Sequence, residues 1–116
     1  MENPKETRYE VIITKPAEIH FYEIVEFLYD KYSLERAEQL ADQLRDKTQS
    51  LCKHPKRGAL EWRLESRENK YRFILFNRIS RADIKIIYYV DDTTKKVFVV
   101  DFFPTEMDDK RIALRN

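Results

Sequence analysis

The sequence contains very little cysteine, histidine and glycine, which excludes several kinds of site. Its 116 residues include one cysteine, one glycine and two histidines. A single cysteine cannot form a disulfide within the chain, and Cys52 with His54 is too small a ligand set for a structural metal ion. One glycine cannot build a glycine-rich phosphate loop, and no serine or cysteine lies in a catalytic motif, which excludes nucleotide hydrolysis and acyl transfer. We therefore expect no metal and no cofactor.

Long apolar segments are also absent. No run approaches the roughly 18 apolar residues that cross a bilayer, and the start of the chain is polar. The composition is 42% hydrophobic and 37% charged, which is typical of a globular domain with a solvated exterior. We predict a cytoplasmic protein without membrane contact, folded as one domain over residues 1–116. Its ordered core should cover about 8–107, with frayed ends at 1–5 and 108–116.

The order of hydrophobic patterns predicts an α+β fold. A β-branched and aromatic segment at 9–14 indicates a first strand, and two segments of helical period follow, separated by Ser33 as an N-cap. Beyond them the period favours four strands, around 61–65, 71–76, 82–90 and 96–103. A strand, a helical hairpin and a four-strand meander predict a mostly antiparallel, twisted sheet with the helices on one face.

Charge is distributed unevenly along the chain. Between Lys53 and Arg81 there are nine basic and three acidic residues, a balance of +6, whereas the whole chain carries +1. The remaining positions therefore carry −5. A basic middle segment favours a polyanionic partner. The alternative is a set of solvated hairpin charges that pair locally, and charge alone does not decide between the two.

One chemistry remains open, the metal-free cleavage of RNA, in which a 2′-OH attacks its own phosphate. It needs a base, cations for the developing charge and an acid for the leaving oxygen. The candidates are Arg63, Arg72, Arg78 and Arg81 for the phosphate, Glu61, Glu65 or His54 as base, and Lys53 or a tyrosine as acid.

The orientation of the 71–76 strand determines what Arg72 can do. If Tyr71, Phe73 and Leu75 face the helices, Arg72 lies on the open face beside apolar side chains. That arrangement suits phosphate binding and is also typical of a partner-binding surface. A structural ion pair is the alternative role for Arg72.

The arrangement of these segments resembles the RelE/ParE superfamily of bacterial type II toxin–antitoxin toxins. The similar segments are the strand and hairpin YEVIITKPAEIHFYEIVEFLYDKYSLERAEQLADQL, the loop LCKHPKRG, the "YR" strand YRFILF and the last hairpin, IKIIYYVDD with KVFVVDFFP. Their order and spacing carry the resemblance over nearly the whole chain. It implies a RelE/ParE-like fold and a toxin of a plasmid-stabilisation module that inhibits growth.

Two activities are implied by the resemblance. RelE-like members cleave mRNA on the ribosome, and Arg72 matches their YR-strand arginine, with Lys53, Lys56 and Arg57 near family cations. ParE-like members poison DNA gyrase. The long hairpin, the LCKHPKRG loop and the absence of a histidine after the last strand favour the ParE-like action. The alternatives are a metal-free endoribonuclease and a non-toxic module that only binds an antitoxin.

A cognate antitoxin is the expected partner, in a hetero-oligomer, with gyrase or the ribosome and its mRNA as the target. The amphipathic end of an antitoxin should cover apolar side chains left exposed on the hairpin and the open sheet face. The candidate partner-binding residues are Ile19, Phe27, Tyr29, Ile74, Phe76, Ile87 and Tyr89.

Overall fold

The structure, a computed structural model, describes residues 8–79 and 82–116. In this part of the chain it has three helices and a five-stranded sheet, which confirms the predicted α+β class. Residues 1–5, where fraying is expected, lie outside it. In chain order the elements are β1 (Glu10–Ile13), α1 (Lys15–Lys31), α2 (Leu34–Gln49), β2 (Ala59–Leu60), β3 (Tyr71–Ile79), β4 (Ala82–Asp91), β5 (Lys96–Pro104) and α3 (Arg111–Arg115).

Both helices of the hairpin begin at capping side chains. The Thr14 hydroxyl accepts a hydrogen bond from the Ala17 amide, and the Ser33 hydroxyl accepts one from the Arg36 amide. These bonds satisfy amides that have no carbonyl partner in the first helical turn. Ser33 is therefore the N-cap that the sequence predicts.

The sheet is open and mostly antiparallel, as predicted. Its strand order is β1-β5-β4-β3-β2, in which only β1 and β5 run parallel. Val100 is an extra residue on β5, because Ile87 lies opposite Asp101 whereas Tyr88 lies opposite Val99. This bulge shifts the alternation of β5, so Asp101 shares a face with Ile87 instead of entering the helix-facing core.

Helices α1 and α2 pack on one face of the sheet and bury the main core there, whereas α3 lies on the other face. As the alternation of β4 predicts, Ile84, Ile86, Tyr88 and Val90 point toward the helices. On the opposite face a smaller core cluster consists of Leu64, Ile87, Phe103 and Ile112.

Two predicted segments are wrong, and the smaller cluster explains both. Residues 61–65 do not form a strand. Trp62–Leu64 is a 3₁₀ turn, because the Glu61 carboxylate accepts a hydrogen bond from the Arg63 amide and Leu64 is buried in the smaller cluster. The C-terminal end is not frayed either. It forms α3, whose Ile112 is buried in the same cluster.

The predicted orientation of β3 is also wrong. Ile74 and Phe76 pack in the helix-facing core, whereas Tyr71 and Phe73 pack against the smaller cluster. Because side chains alternate along a strand, Arg72 lies on the helix side of the sheet. The nearly continuous apolar run YRFILF carries no period that distinguishes the two faces.

Candidate functional site

The loop between α2 and β2 is fixed to the sheet by Tyr88. Its hydroxyl donates to the Pro55 carbonyl and accepts from the Gly58 amide at 3.1 Å. A Cβ on Gly58 would lie 2.4 Å from that hydroxyl oxygen and 2.7 Å from the Phe73 carbonyl oxygen. The loop can therefore lie this close to β3 and β4 only with glycine at position 58. Burial raises the pKa of Tyr88. The phenol is therefore a neutral structural group.

Two candidate arginines hold the same loop. The Arg72 guanidinium donates to the Gly58 carbonyl at 2.9 Å. Arg57 donates to the Lys53 carbonyl and to the Ser50 hydroxyl, both at 2.8 Å, at the end of α2. A cation there also interacts favourably with the helix dipole. Both arginines thus have structural partners within the chain.

A third contact joins the loop to the turn between β4 and β5 and to the residue before β1. The Lys56 ammonium lies 2.6 Å from Asp92, and the Tyr9 hydroxyl donates to the same carboxylate at 2.8 Å. These hydrogen bonds, with the Lys56 contact the larger, lower the pKa of Asp92, and Asp92 in turn raises the pKa of Lys56. His54 is exposed, with a left-handed backbone at φ 49°, and Lys53 beside it is half-buried.

Glu61 and Arg63 lie on the other face of the sheet. The Glu61 carboxylate is buried and accepts from the Lys85 ammonium at 2.8 Å. Arg63 pairs with Asp109 at 3.0 Å and stacks on the exposed Trp62 ring, 3.8 Å from its centroid. Both charges are therefore neutralised within the chain.

The structure brings some candidate residues together and separates others. Lys53, His54 and Arg57 lie in the loop, which Arg72 of β3 contacts on the helix side, whereas Glu61 and Arg63 are on the opposite side. Arg81 and the side chain of Arg78 lie outside the described residues.

The exposed apolar surface is smaller than the sequence predicts. Ile19, Phe27 and Tyr29 are exposed on α1, as expected. Phe76 and Ile87 are buried, with 4% and 0% of their surface exposed, so the prediction that they form an open surface is wrong. The physical reason is that α2 packs against β3 beside Phe76, and Ile112 of α3 packs in the cluster that contains Ile87. Two others are half-buried: Ile74 packs against the helix-facing core, and Tyr89 stacks on Phe98.

A cluster around Asp101 was missed by the sequence analysis. This fully buried carboxylate accepts from Arg115 at 2.7 Å and Asn116 at 2.9 Å, and it lies 2.8 Å from His20 Nδ1. A carboxylate in the middle of the apolar strand KVFVVDFF is the signal that identifies it, because a buried charge needs partners.

Beside this cluster lies a cavity of about 180 Å³ between α1 and the end of β5, which we name the α1 groove. Its lining includes His20, Glu23, Phe27, Phe102, Glu106 and Arg115.

Within residues 8–79 and 82–116, no helix is long and apolar enough to cross a membrane. No three histidine, cysteine, aspartate or glutamate side chains in this part of the chain are grouped so that they could hold a metal ion.

The strand, helical hairpin and mostly antiparallel five-stranded sheet make a RelE/ParE-like fold. The chain belongs to the family described as the ParE toxin of the type II toxin–antitoxin system, parDE, whose model matches residues 11–109. A comparison with curated proteins finds no significant match.

Proposed function

We propose that this ParE-family chain arrests bacterial growth by acting on DNA gyrase, and that a cognate antitoxin neutralises it. In this proposal it works in the cytoplasm as part of a plasmid-stabilisation module and is held with its antitoxin in a hetero-oligomer. The observation that carries the choice of gyrase over RNA is the separation of Arg72 from Glu61 by the sheet.

RNA cleavage needs a base, an acid and a phosphate ligand within hydrogen-bond reach of one substrate. Here Arg72 is engaged by a backbone carbonyl, and the Glu61 carboxylate is buried against Lys85 on the other face. Arg63 is paired with Asp109. A toxin that acts by contacting gyrase needs no such constellation, because the chemistry belongs to the target.

One observation favours the endoribonuclease alternative. The imidazole of His54 is exposed in a loop that also carries Lys53 and Arg57, so a base and cations are adjacent there. In this alternative His54 is the base and Arg72 stabilises the phosphorane charge.

Two assays on one preparation separate the activities. Supercoiled plasmid is incubated with gyrase, ATP and the protein, and messages on translating ribosomes are probed by primer extension. We expect a gyrase effect and intact messages, and we expect Arg72→Ala to change the gyrase effect only a few-fold. In the endoribonuclease alternative the same change reduces cleavage by about 10²-fold, with partial rescue by Arg72→Lys.

Growth assays address the remaining alternative. Induced expression without antitoxin should stop growth, and co-expression of the small protein encoded beside this gene should restore it. Normal growth with soluble, folded protein would favour a module that only binds the antitoxin. Message cleavage that requires Arg72 or His54, with supercoiling unchanged, would replace the gyrase proposal.

A further inference from the structure

The α1 groove has a largely apolar floor. Ile24, Ile84 and Phe102 belong to its lining and are almost completely buried, whereas Phe27 in the same lining is exposed. The volume of the groove is about 180 Å³. For comparison, an apolar protein cavity of about 150 Å³ takes up benzene. The groove is therefore large enough for one six-membered ring with a short side arm.

His20 adds a hydrogen-bond acceptor to this lining. Its Nδ1 lies 2.8 Å from the buried Asp101 carboxylate, which also accepts from the Arg115 guanidinium at 2.7 Å. Because a carboxylate only accepts hydrogen bonds, Nδ1 is the ring nitrogen that carries the hydrogen. In the neutral imidazole Nε2 is then an acceptor, on the side of the ring turned away from Asp101. Asp101 thus fixes both the tautomer and the orientation of His20.

The charge that the groove offers to a ligand is negative. Glu23 and Glu106 belong to the lining and are exposed, and neither has an ion-pair partner among the described residues. Arg115 also lines the groove, but its guanidinium donates to the Asp101 carboxylate and the Phe102 carbonyl, and its Nε is buried. The polar groups that a ligand can meet are therefore acceptors, and two of them are anionic.

These features specify the chemical class of the ligand. An apolar floor selects an apolar body, and acceptors with negative charge select a positively charged donor and reject an anion. We infer that the α1 groove binds a small organic amine, whose apolar body lies against Phe102 and whose ammonium group is held by Glu23, Glu106 and His20 Nε2. This site needs neither gyrase nor an antitoxin, so it is independent of the proposed toxin function.

Four small compounds test the ligand class directly, by NMR titration of the full-length protein labelled with nitrogen-15. Benzylamine should bind with a dissociation constant of about 1 mM and shift amide signals in α1 between His20 and Phe27 and at the end of β5. Benzyl alcohol, which has the same ring without the charge, should bind at least about threefold more weakly. Methylamine lacks the ring and phenylacetate reverses the charge, so each should bind at least about tenfold more weakly.

Variants of the protein locate the charge interaction. Glu23→Gln with Glu106→Gln should weaken benzylamine at least about threefold and leave benzyl alcohol unchanged, because only the attraction to the ammonium group is lost. Glu26→Gln with Glu38→Gln is the matched control. It removes two charges from exposed positions of α1 and α2 outside the lining and should change neither affinity. Circular dichroism verifies that both double variants are folded.

The possible outcomes either support the amine site or overturn it. If benzylamine does not bind, if any of the other three compounds binds as well as it does, or if the shifted amides lie away from the groove, the inference is wrong. It is also wrong if the two double variants behave alike. Benzylamine binding with the expected dependence on ring, charge and the two glutamates supports the site, whatever the gyrase assays show.

Discussion

Gly58 is the residue at which one added carbon atom should disturb the structure most. Its φ of −71° is accessible to any residue, so backbone freedom is not the reason for glycine here. The reason is space, because a Cβ would meet the Tyr88 hydroxyl and the Phe73 carbonyl. The position of the whole 53–58 loop, with its basic side chains, therefore depends on this close approach.

We predict that Gly58→Ala lowers the free energy of unfolding by about 1–3 kcal/mol. Urea denaturation of the variant and of the wild type measures this loss of unfolding free energy. In a Tyr88→Phe background the loss should be smaller, because the nearer of the two clashing atoms is gone. Equal losses in both backgrounds would mean that the hydroxyl does not limit the space at Gly58.

At the same scale, residue type limits what the sequence can predict about the candidate site. Arginine, glutamate and lysine in the 53–81 segment are chemically capable groups. Their types do not reveal whether a guanidinium binds a substrate phosphate or a carbonyl of its own chain, as Arg72 does with Gly58. That depends on which face of β3 carries Arg72, and only packing decides the face.

Among the elements, α3 shows how a short segment becomes ordered through tertiary contacts. A helix of five residues has almost no stability of its own. Ile112 is fully buried in the smaller cluster, and the Arg67 guanidinium donates to the Ala113 carbonyl at 2.9 Å. The order of α3 therefore depends on its contacts with the smaller cluster, and the burial of that cluster depends on α3.

We predict that Ile112→Ala costs about 2–4 kcal/mol of stability, since it removes buried methylene groups and leaves a cavity. Leu114→Ala is the matched control in the same helix. Leu114 is 85% exposed, and its truncation should change the free energy of unfolding by less than about 0.5 kcal/mol. Thermal and urea denaturation of both variants measure the difference, and similar losses would show that α3 does not bury Ile112 in solution.

The elements that the sequence predicted well are those with strong local signals. Helical period and a hydroxyl cap define α1 and α2, and alternation defines the facing of β4. The elements it missed lack such signals. The 3₁₀ turn at Trp62–Leu64 looks like a strand because Trp62 and Leu64 alternate with charged residues, and α3 is too short to show a period.

Across the whole molecule, Asp101 joins parts of the chain that are distant in sequence. Its carboxylate on β5 contacts His20 on α1, and Arg115 and Asn116 at the end of the chain. The bulge at Val100 makes this possible by placing Asp101 on the face that α3 covers. β1 pairs with β5 only as far as Val99, so among the described residues no strand pairs with the edge of β5 beside Asp101, and His20 of α1 lies 2.8 Å from its carboxylate.

We predict that Asp101→Asn lowers the free energy of unfolding by about 3 kcal/mol or more, because it leaves the Arg115 charge without its buried counter-ion. Asp109→Asn is the matched control, since it removes the same charge from the partly exposed pair with Arg63 and should cost about 1 kcal/mol or less.

Hydrogen exchange distinguishes the bridging role from a purely local one. If Asp101 couples its three elements, Asp101→Asn should speed exchange in the first turns of α1 around His20 as well as in α3, although α3 lies on the other face of the sheet. Faster exchange confined to α3 would show that Arg115 and Asn116 are the only contacts of consequence and that His20 is a bystander. Faster exchange at both places would mean that the wall of the α1 groove and the C-terminal helix loosen together. A structural change at the wall of the α1 groove would then alter α3, and a change in α3 would alter the groove wall, through the Asp101 carboxylate.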